Sequence, residues 1–402
     1  MEDTQVNEKF EERIRFWNNR VETLSAADLY FYNQPVDELL GGVRVQVRGR
    51  EMLMFASYSY LGLIGHPKIN AAAKAAVDEY GTGTHGVRLL AGTLQLHRDL
   101  EATIARFKGT ADAVTFSSGY VTNLTAISTL VGRHDVVICD KLNHASILDG
   151  CLLSGAELLR FRHNDMAELE RCLQRADANA MKLVVVDAVF SMDGDIIDLP
   201  RTVELCRKYG AILMVDEAHS VGVLGAHGHG IEEHFGLGNV IDLKMGTLSK
   251  TIPSVGGYLA GRRDLMQMFR HASRAFIFSA ALPPAQAAAA KAAFEVIDEE
   301  PERVEQLRQN AAQFITGLKA AGFDTMRTET AIVPVLCGTD ERAFTMVQHC
   351  QHDDIFVLPV VSPAVPEGLA RLRATVTAAH TPADIDRALE VFERAGKRAG
   401  II

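Results

Sequence analysis

Residues 182–219 read KLVVVDAVFSMDGDIIDLPRTVELCRKYGAILMVDEAH, and this stretch decides the fold. Its two apolar runs, KLVVVDAVF and AILMVDEA, lack the alternation of a strand with one wet face. Each is therefore expected to be a strand buried on both sides. Residues 199–209 between them carry apolar side chains at the 3.6-residue period of a helix. Strand, helix, strand is the crossover unit of a parallel sheet. The same rhythm runs from about residue 113 to 260, where AVTFSS, VVICD, ELLRF and VIDLKMG are further strands and 120–131, 145–154 and 166–174 further helices. The middle of the chain is α/β, with a mostly parallel sheet.

The flanks read differently. Residues 7–24 form an amphipathic helical segment, and GGVRVQVRGREMLMF alternates like an antiparallel hairpin. After Leu282-Pro283-Pro284, which breaks the pattern, come an alanine-rich helix and a charged helix over 301–321. TAIVPVLCG, IFVLPV and ARLRATV then read as three strands, with helices over 341–352 and 382–395, which together make a small α+β module. The expected division is an amino-terminal segment (1–50), a large α/β domain (51–285) and a small carboxy-terminal domain (286–402). No internal repeat or low-complexity linker separates them.

Composition excludes several classes. The 402 residues are 48% apolar and 23% charged, with a net charge of -10 from 41 basic and 51 acidic side chains. These are ordinary globular proportions. No apolar run approaches the roughly 18 residues of a membrane helix. The opening MEDTQVNEKF has neither the basic nor the apolar region of a secretory signal, which suggests a cytoplasmic protein. The 6 cysteines lack metal-like pair spacing and suit reduced, buried thiols. An acidic balance argues against nucleic acid, whose backbone requires clustered Lys and Arg. One cluster, Arg262, Arg263, Arg270 and Arg274, fits either a docking patch for an anionic partner or a solvated helix face.

Four polar clusters fall at or just past predicted strand ends, where open α/β sheets place their ligand crevice. Ser117-Ser118-Gly119-Tyr120 opens a helix, and small residues there offer backbone N–H groups to an anion, although a plain helix cap reads the same way. Asn143-His144-Ala145-Ser146 follows VVICD; its histidine is either a ligand-facing ring or a cap. Asp216 ends a buried strand, where a carboxylate is costly unless something positive meets it, and His219 is three residues on. The fourth cluster, GTLSKT, places Lys250 among hydroxyl residues.

The Asp-Glu-Ala-His run also resembles the magnesium-binding strand of nucleotide-driven helicases. Those enzymes need a GxxxxGK[ST] loop upstream, whereas GTLSKT has Ser in place of the second glycine and lies downstream. The four clusters together ask for a different ligand. Pyridoxal phosphate requires a lysine to form a Schiff base with its aldehyde, a carboxylate for its pyridine nitrogen, donors for its phosphate and often a ring on its face.

The motifs YGTGTHGVRLLAGT, SSGYVTN, NHASILDG, VFSMDGD, VDEAHSVGVLG, GTLSKT and RLRATVTAAHTP, in this order, resemble the α-oxoamine synthases. These are fold-type-I pyridoxal-phosphate transferases that condense an amino acid with an acyl thioester and release carbon dioxide. The resemblance implies that Lys250 holds the cofactor and moves protons, that Asp216 pairs with the pyridine nitrogen and His219 with the ring hydroxyl, and that His144 stacks on the ring. It implies phosphate contacts from Ser118, Gly119, Tyr120, Thr247 and Ser249, with Ser191 near the ring. Arg373 would take the amino-acid carboxylate, and Tyr58 would lie beside the substrate. A homodimer with the site at its interface is implied, in which Ser279 of the partner subunit reaches the phosphate.

Branch markers conflict. Tyr58, RFRHNDMAELE and RAFIFSAALPP are similar to the serine palmitoyltransferase-like branch, but Ser59 stands where that branch has Asn. RLRATVTAAHTP is equally similar to the 8-amino-7-oxononanoate synthase and 2-amino-3-ketobutyrate ligase branches. Val361 replaces an Arg found in several members. The expected substrates are serine, alanine or glycine with a CoA or acyl-carrier-protein thioester. A non-catalytic partner subunit is the alternative of another class, but it would not need a Schiff-base lysine.

Overall fold

A computed structural model describes residues 8–402. Residues 1–7, which hold most of the polar opening segment and the expected helix start at Asn7, lie outside it. The first helix spans Glu8–Ala26. Strands β1 (Glu38–Gly41), β2 (Arg44–Val47) and β3 (Arg50–Met54) follow as an antiparallel meander. The large sheet is built from β4 (Asp112–Phe116), β5 (Val136–Asp140), β6 (Glu157–Phe161), β7 (Lys182–Asp187), β8 (Ile212–Asp216), β9 (Leu243–Ser249) and β10 (Pro253–Gly261). Its order is β4-β10-β9-β8-β7-β5-β6. Both neighbours of β10 pair with it antiparallel, and the remaining pairs are parallel. The chain continues through β11 (Ile332–Gly338), β12 (Ile355–Phe356), β13 (Pro359–Val360) and β14 (Ala370–Thr375).

Every residue of β5 and β7 is buried, as expected of runs without alternation. These strands and β8 end in Asp140, Asp187 and Asp216, so three neighbouring carboxylates mark one edge of the sheet.

β10 is not evident in the sequence pattern. Its segment PSVGGYLAG carries Pro and two adjacent glycines, residues that strands usually avoid. The glycine has a packing reason: a Cβ at Gly257 would meet Thr122 Oγ1 at 2.4 Å and Gly119 N at 2.9 Å. β10 thus lies directly against the start of the helix Gly119–Leu130. Two helices, Pro67–Tyr80 and Gln95–Phe107, also escaped the periodicity. They pack on the alanine-rich helix Pro284–Glu299, which buries Ala287, Ala290 and Ala293.

The expected single strand IFVLPV divides between two sheets. β12 pairs parallel with β3, and β13 pairs with β14. One core accordingly joins Val43, Leu53 and Phe55, in and just after the amino-terminal segment, to Phe314, Phe344 and Phe392 of the carboxy-terminal module. The arginine cluster is also not one basic face. Arg270 is buried, with Nη1 and Nη2 at 2.6 and 2.9 Å from Asp112 and Nη2 donating to Ala113 O, while Arg262 pairs with Asp264. All 6 cysteines are free thiols. Among the described residues no helix is long and apolar enough to cross a membrane.

The carboxy-terminal module is tied to the large sheet through the turn after β7. Arg371 Nη1 pairs with Asp193 at 2.9 Å, and Thr330 Oγ1 donates to Gly194 O at 2.9 Å. Gly194 has φ +72°, and a Cβ there would lie 2.1 Å from Ile332 O. Left-handed backbone and a backbone clash act together, so Gly194→Ala is expected to destabilise the fold by about 3 kcal/mol. Denaturant unfolding of the two proteins checks this.

Candidate active site

Helix starts and strand ends converge on one cavity of about 240 Å³. Of the expected residues, Ser118, Gly119, Tyr120, His144 and Ser191 line it from one group of loops. Asp216, His219, Thr247, Ser249 and Lys250 line it from the ends of β8 and β9. Tyr58, Arg373 and Ser279 do not line it within one chain.

Asp216 is buried at the end of β8, where Ala218 N donates to Oδ1 at 2.8 Å and Asn123 Nδ2 to Oδ2 at 2.7 Å. The same Asn123 amide nitrogen donates to Ser146 Oγ at 2.9 Å, and Ser146 meets His144 Nδ1 at 2.7 Å. His144 is a helix cap that also lines the cavity. Its Nδ1 caps the helix Ala145–Ser154 by accepting from Ser146 N, and its ring borders the cavity. Burial holds its pKa below the usual histidine value. Its backbone N donates to Asp187 Oδ2 at 2.8 Å. Asn143 clamps the same loop by donating to Val185 O and accepting from Asp187 N.

Lys250 Nζ lies 2.7 Å from His219 Nε2, and His219 Nδ1 lies 2.6 Å from Tyr60 Oη. Burial, with Arg373 adding to it, lowers the Lys250 pKa to about 8 against the pull of Asp216 and Asp187. Burial also lowers that of His219 well below the ordinary value, aided by the cations Lys250 and Arg373. Asp187 moves the other way: burial and the neighbouring Asp216 charge raise it well above the carboxylate range.

The third feature is a cradle for an anion. Ser118 caps the helix Gly119–Leu130, with Oγ accepting from Val121 N and its carbonyl from Thr122 N. The Gly119 and Tyr120 amides come before these and have no helical acceptor. Thr247 Oγ1 and Ser249 Oγ, 2.9 Å apart, complete the hydroxyl side.

Arg373, on β14, connects to this cavity from the carboxy-terminal module. Its Nε donates to Ser191 O at 2.6 Å, Nη1 to Thr375 Oγ1 at 2.9 Å and Nη2 to Tyr60 Oη at 3.3 Å. The guanidinium lies 4.6 Å from the Tyr58 ring centroid, with Lys250 Nζ 5.9 Å from the same ring. Tyr58 thus carries both cations on its face.

Tyr60, Asn123 and Asp187 were not singled out from the sequence. Asp187 ends KLVVVD just as Asp216 ends ILMVD, and that parallel is the signal that would have found it. Asn123 lies one helical turn beyond Gly119, facing the same side. Tyr60 has no signal separating it from Tyr58.

A buried amine near neutrality, a buried carboxylate, a neutral histidine pair and unspent helix amides beside hydroxyls form a donor set that fits pyridoxal phosphate. Lys250→Ala is expected to abolish the borohydride-fixed cofactor adduct, read by peptide mass. An adduct persisting on another lysine would contradict the assignment.

The family model for aminotransferase class I and II matches residues 50–392. An 8-amino-7-oxononanoate synthase of Geobacter sulfurreducens is 47% identical over 363 residues, covering 90% of this chain and 93% of that one. A serine palmitoyltransferase of Sphingobacterium spiritivorum is 42% identical over 393 residues, covering 98% of each. The solved serine palmitoyltransferase of S. paucimobilis with a bound PLP–myriocin aldimine superposes with TM-score 0.94 at 36% identity, covering 97% of this chain and 99% of that one.

Proposed function

This chain belongs to the aminotransferase class I and II family, and we propose that its strand-end cavity joins a small L-amino acid to an acyl thioester. It is a pyridoxal-phosphate-dependent enzyme of the α-oxoamine synthase type, an acyltransferase fold shared with both kinds of relative above. The observation that carries the reading is the convergence of Lys250, His219, Asp216 and His144 on one cavity.

Pyridoxal phosphate, when bound, supplies an aldehyde and an electron sink for charge developing at the amino acid's α-carbon. Lys250 would hold it and afterwards act as the base and acid at that carbon. Asp216 would keep the pyridine nitrogen protonated. His144 would cover the ring face, and His219 would meet the ring hydroxyl. Ser118, Gly119, Tyr120, Thr247 and Ser249 would hold the phosphate, with Ser191 beside the ring. A base of pKa about 8 suits proton transfer near neutral pH.

Arg373 has five N–H donors, of which the contacts to Ser191, Thr375 and Tyr60 use three, leaving two, one on each terminal nitrogen. That is the fork a carboxylate takes with two parallel bonds. Tyr58, already stacked on this guanidinium, would border the amino acid. The acyl carbon would then bond to the amino acid's α-carbon as the thiol leaves, and the amino-acid carboxyl would depart as carbon dioxide.

Leu90, Phe278 and Val255 remain 80%, 74% and 51% exposed although apolar. A homodimer with the site at its interface, to which Ser279 of the partner subunit contributes, would cover such side chains. Free thiols throughout agree with a cytoplasmic enzyme.

Two substrate pairs are in view. Serine with a long alkyl thioester follows from the palmitoyltransferase relative. The 47% identity to an 8-amino-7-oxononanoate synthase favours a second pair. That product's amino carbon carries a methyl group, which is alanine after loss of its carboxyl, and its acyl part ends in a carboxylate. Deuterium exchange at the α-carbon of glycine, alanine, serine and threonine, with and without thioester, separates them. Exchange is expected for serine or alanine, and for none of the four the proposal fails. Arg373→Ala is expected to weaken amino-acid binding by about tenfold or more while leaving thioester binding nearly unchanged. Spectral titration with each substrate checks it.

A further inference from the structure

We propose that Tyr60 is a positioning residue that locks His219 in the tautomer protonated on Nε2, so that Lys250 must be the acceptor of that proton. The argument follows donors and acceptors along one buried line of contacts. The Arg373 guanidinium can only donate. Its Nη2, 3.3 Å from Tyr60 Oη, therefore makes that oxygen an acceptor and directs the phenol's own hydrogen elsewhere. The other partner of Tyr60 Oη is His219 Nδ1 at 2.6 Å, so Tyr60 donates and Nδ1 accepts. A neutral imidazole has one N–H, which is then on Nε2. Nε2 lies 2.7 Å from Lys250 Nζ, and an amine accepts a hydrogen bond only through a lone pair, that is, when uncharged. In this arrangement Lys250 is in its nucleophilic form, the form that the Nε2 hydrogen favours.

The surroundings agree. Burial and the neighbouring Arg373 cation disfavour a charged imidazolium at His219. Burial pushes the Tyr60 phenol up to about 12, and it keeps its hydrogen. Its side chain has no solvent exposure and packs in the main core, while its carbonyl accepts from Ala378 N at 2.8 Å. Asp216 from β8 and Asp187 from β7 face Lys250 and favour its charged form; Arg373 from β14 opposes it, and His144 faces the same cavity from its helix start. With carboxylates pulling one way and burial the other, the direction of one hydrogen bond decides the balance. Without the Tyr60 hydrogen, His219 is free to take the opposite tautomer and accept from a protonated Lys250.

The inference rests on the cofactor reading only in the second measurement below, so the two fail separately. The first is ¹⁵N NMR of the histidine-labelled, cofactor-free full chain, with the His219 signals assigned by their loss in His219→Asn. An unprotonated Nδ1 and a protonated Nε2 are expected at pH 9, above the Lys250 pKa of about 8; a protonated Nδ1 there overturns the proposal. The second is the rate at which the full chain takes up pyridoxal phosphate as a function of pH, which follows the neutral fraction of Lys250. That fraction rises through the pKa of about 8. In Tyr60→Phe the midpoint is expected about one pH unit higher, so uptake at pH 7 falls about tenfold. A merely structural role would lower the yield of folded protein without moving the midpoint, and an unmoved midpoint overturns the proposal. Should Tyr60→Phe not fold, the tautomer of the unaltered chain decides alone.

Discussion

Lys250 Nζ and His219 Nε2 approach to 2.7 Å inside a cavity that also holds Asp216 and Asp187, and the cost of burying these groups together constrains the rest of the site. An isolated charge in such a place would lose several kcal/mol of hydration. Each is met differently. Asp216 receives two hydrogen bonds, from Asn123 and Ala218, and stands opposite the amine. Asp187 is pushed toward its neutral form by burial and by Asp216. Lys250 is brought near neutrality, and His219 is kept uncharged. One lysine and one carboxylate held by two hydrogen bonds remain, the pairing that an aldehyde cofactor with a basic ring nitrogen requires.

The scaffold supplies these groups from rigid places. Neighbouring parallel strands end side by side, so their terminal aspartates are set by the register Asp187 to Asp216. The loops after β4 and β5 are short and start the helices Gly119–Leu130 and Ala145–Ser154, which aims backbone amides at the cavity. Arg373 arrives from another sheet, fixed by its bond to Ser191 O and by the Arg371–Asp193 pair two residues away. The amino-acid end of the site thus depends on how the carboxy-terminal module seats on the turn after β7, and Gly194 lies at that seat.

Much of this was legible in the sequence because burial on both faces erases alternation. KLVVVD and ILMVD announce a parallel sheet, and Asp216 at the end of the second announces its functional edge. Lys250 and His144 became readable through company, since neither is distinctive alone. What escaped did so for physical reasons. β10 carries Gly257, demanded by the approach of Gly119 and Thr122, a tertiary contact that local propensity cannot register. IFVLPV looks like one strand, yet its two ends serve different sheets. Tyr60 differs from Tyr58 only in the direction its side chain takes. Arg270 reads as part of a basic face until Asp112 is brought beside it by the fold.

The central claim is that one cavity couples carbon–carbon bond formation to loss of the amino-acid carboxyl. The most direct test incubates the purified protein, loaded with pyridoxal phosphate, with amino acid and acyl thioester together and apart, and quantifies carbon dioxide, free thiol and α-amino ketone in the same sample. The account predicts equal amounts of all three, formed only when both substrates are present. Carbon dioxide released without thioester, or thiol released without carbon dioxide, would contradict it.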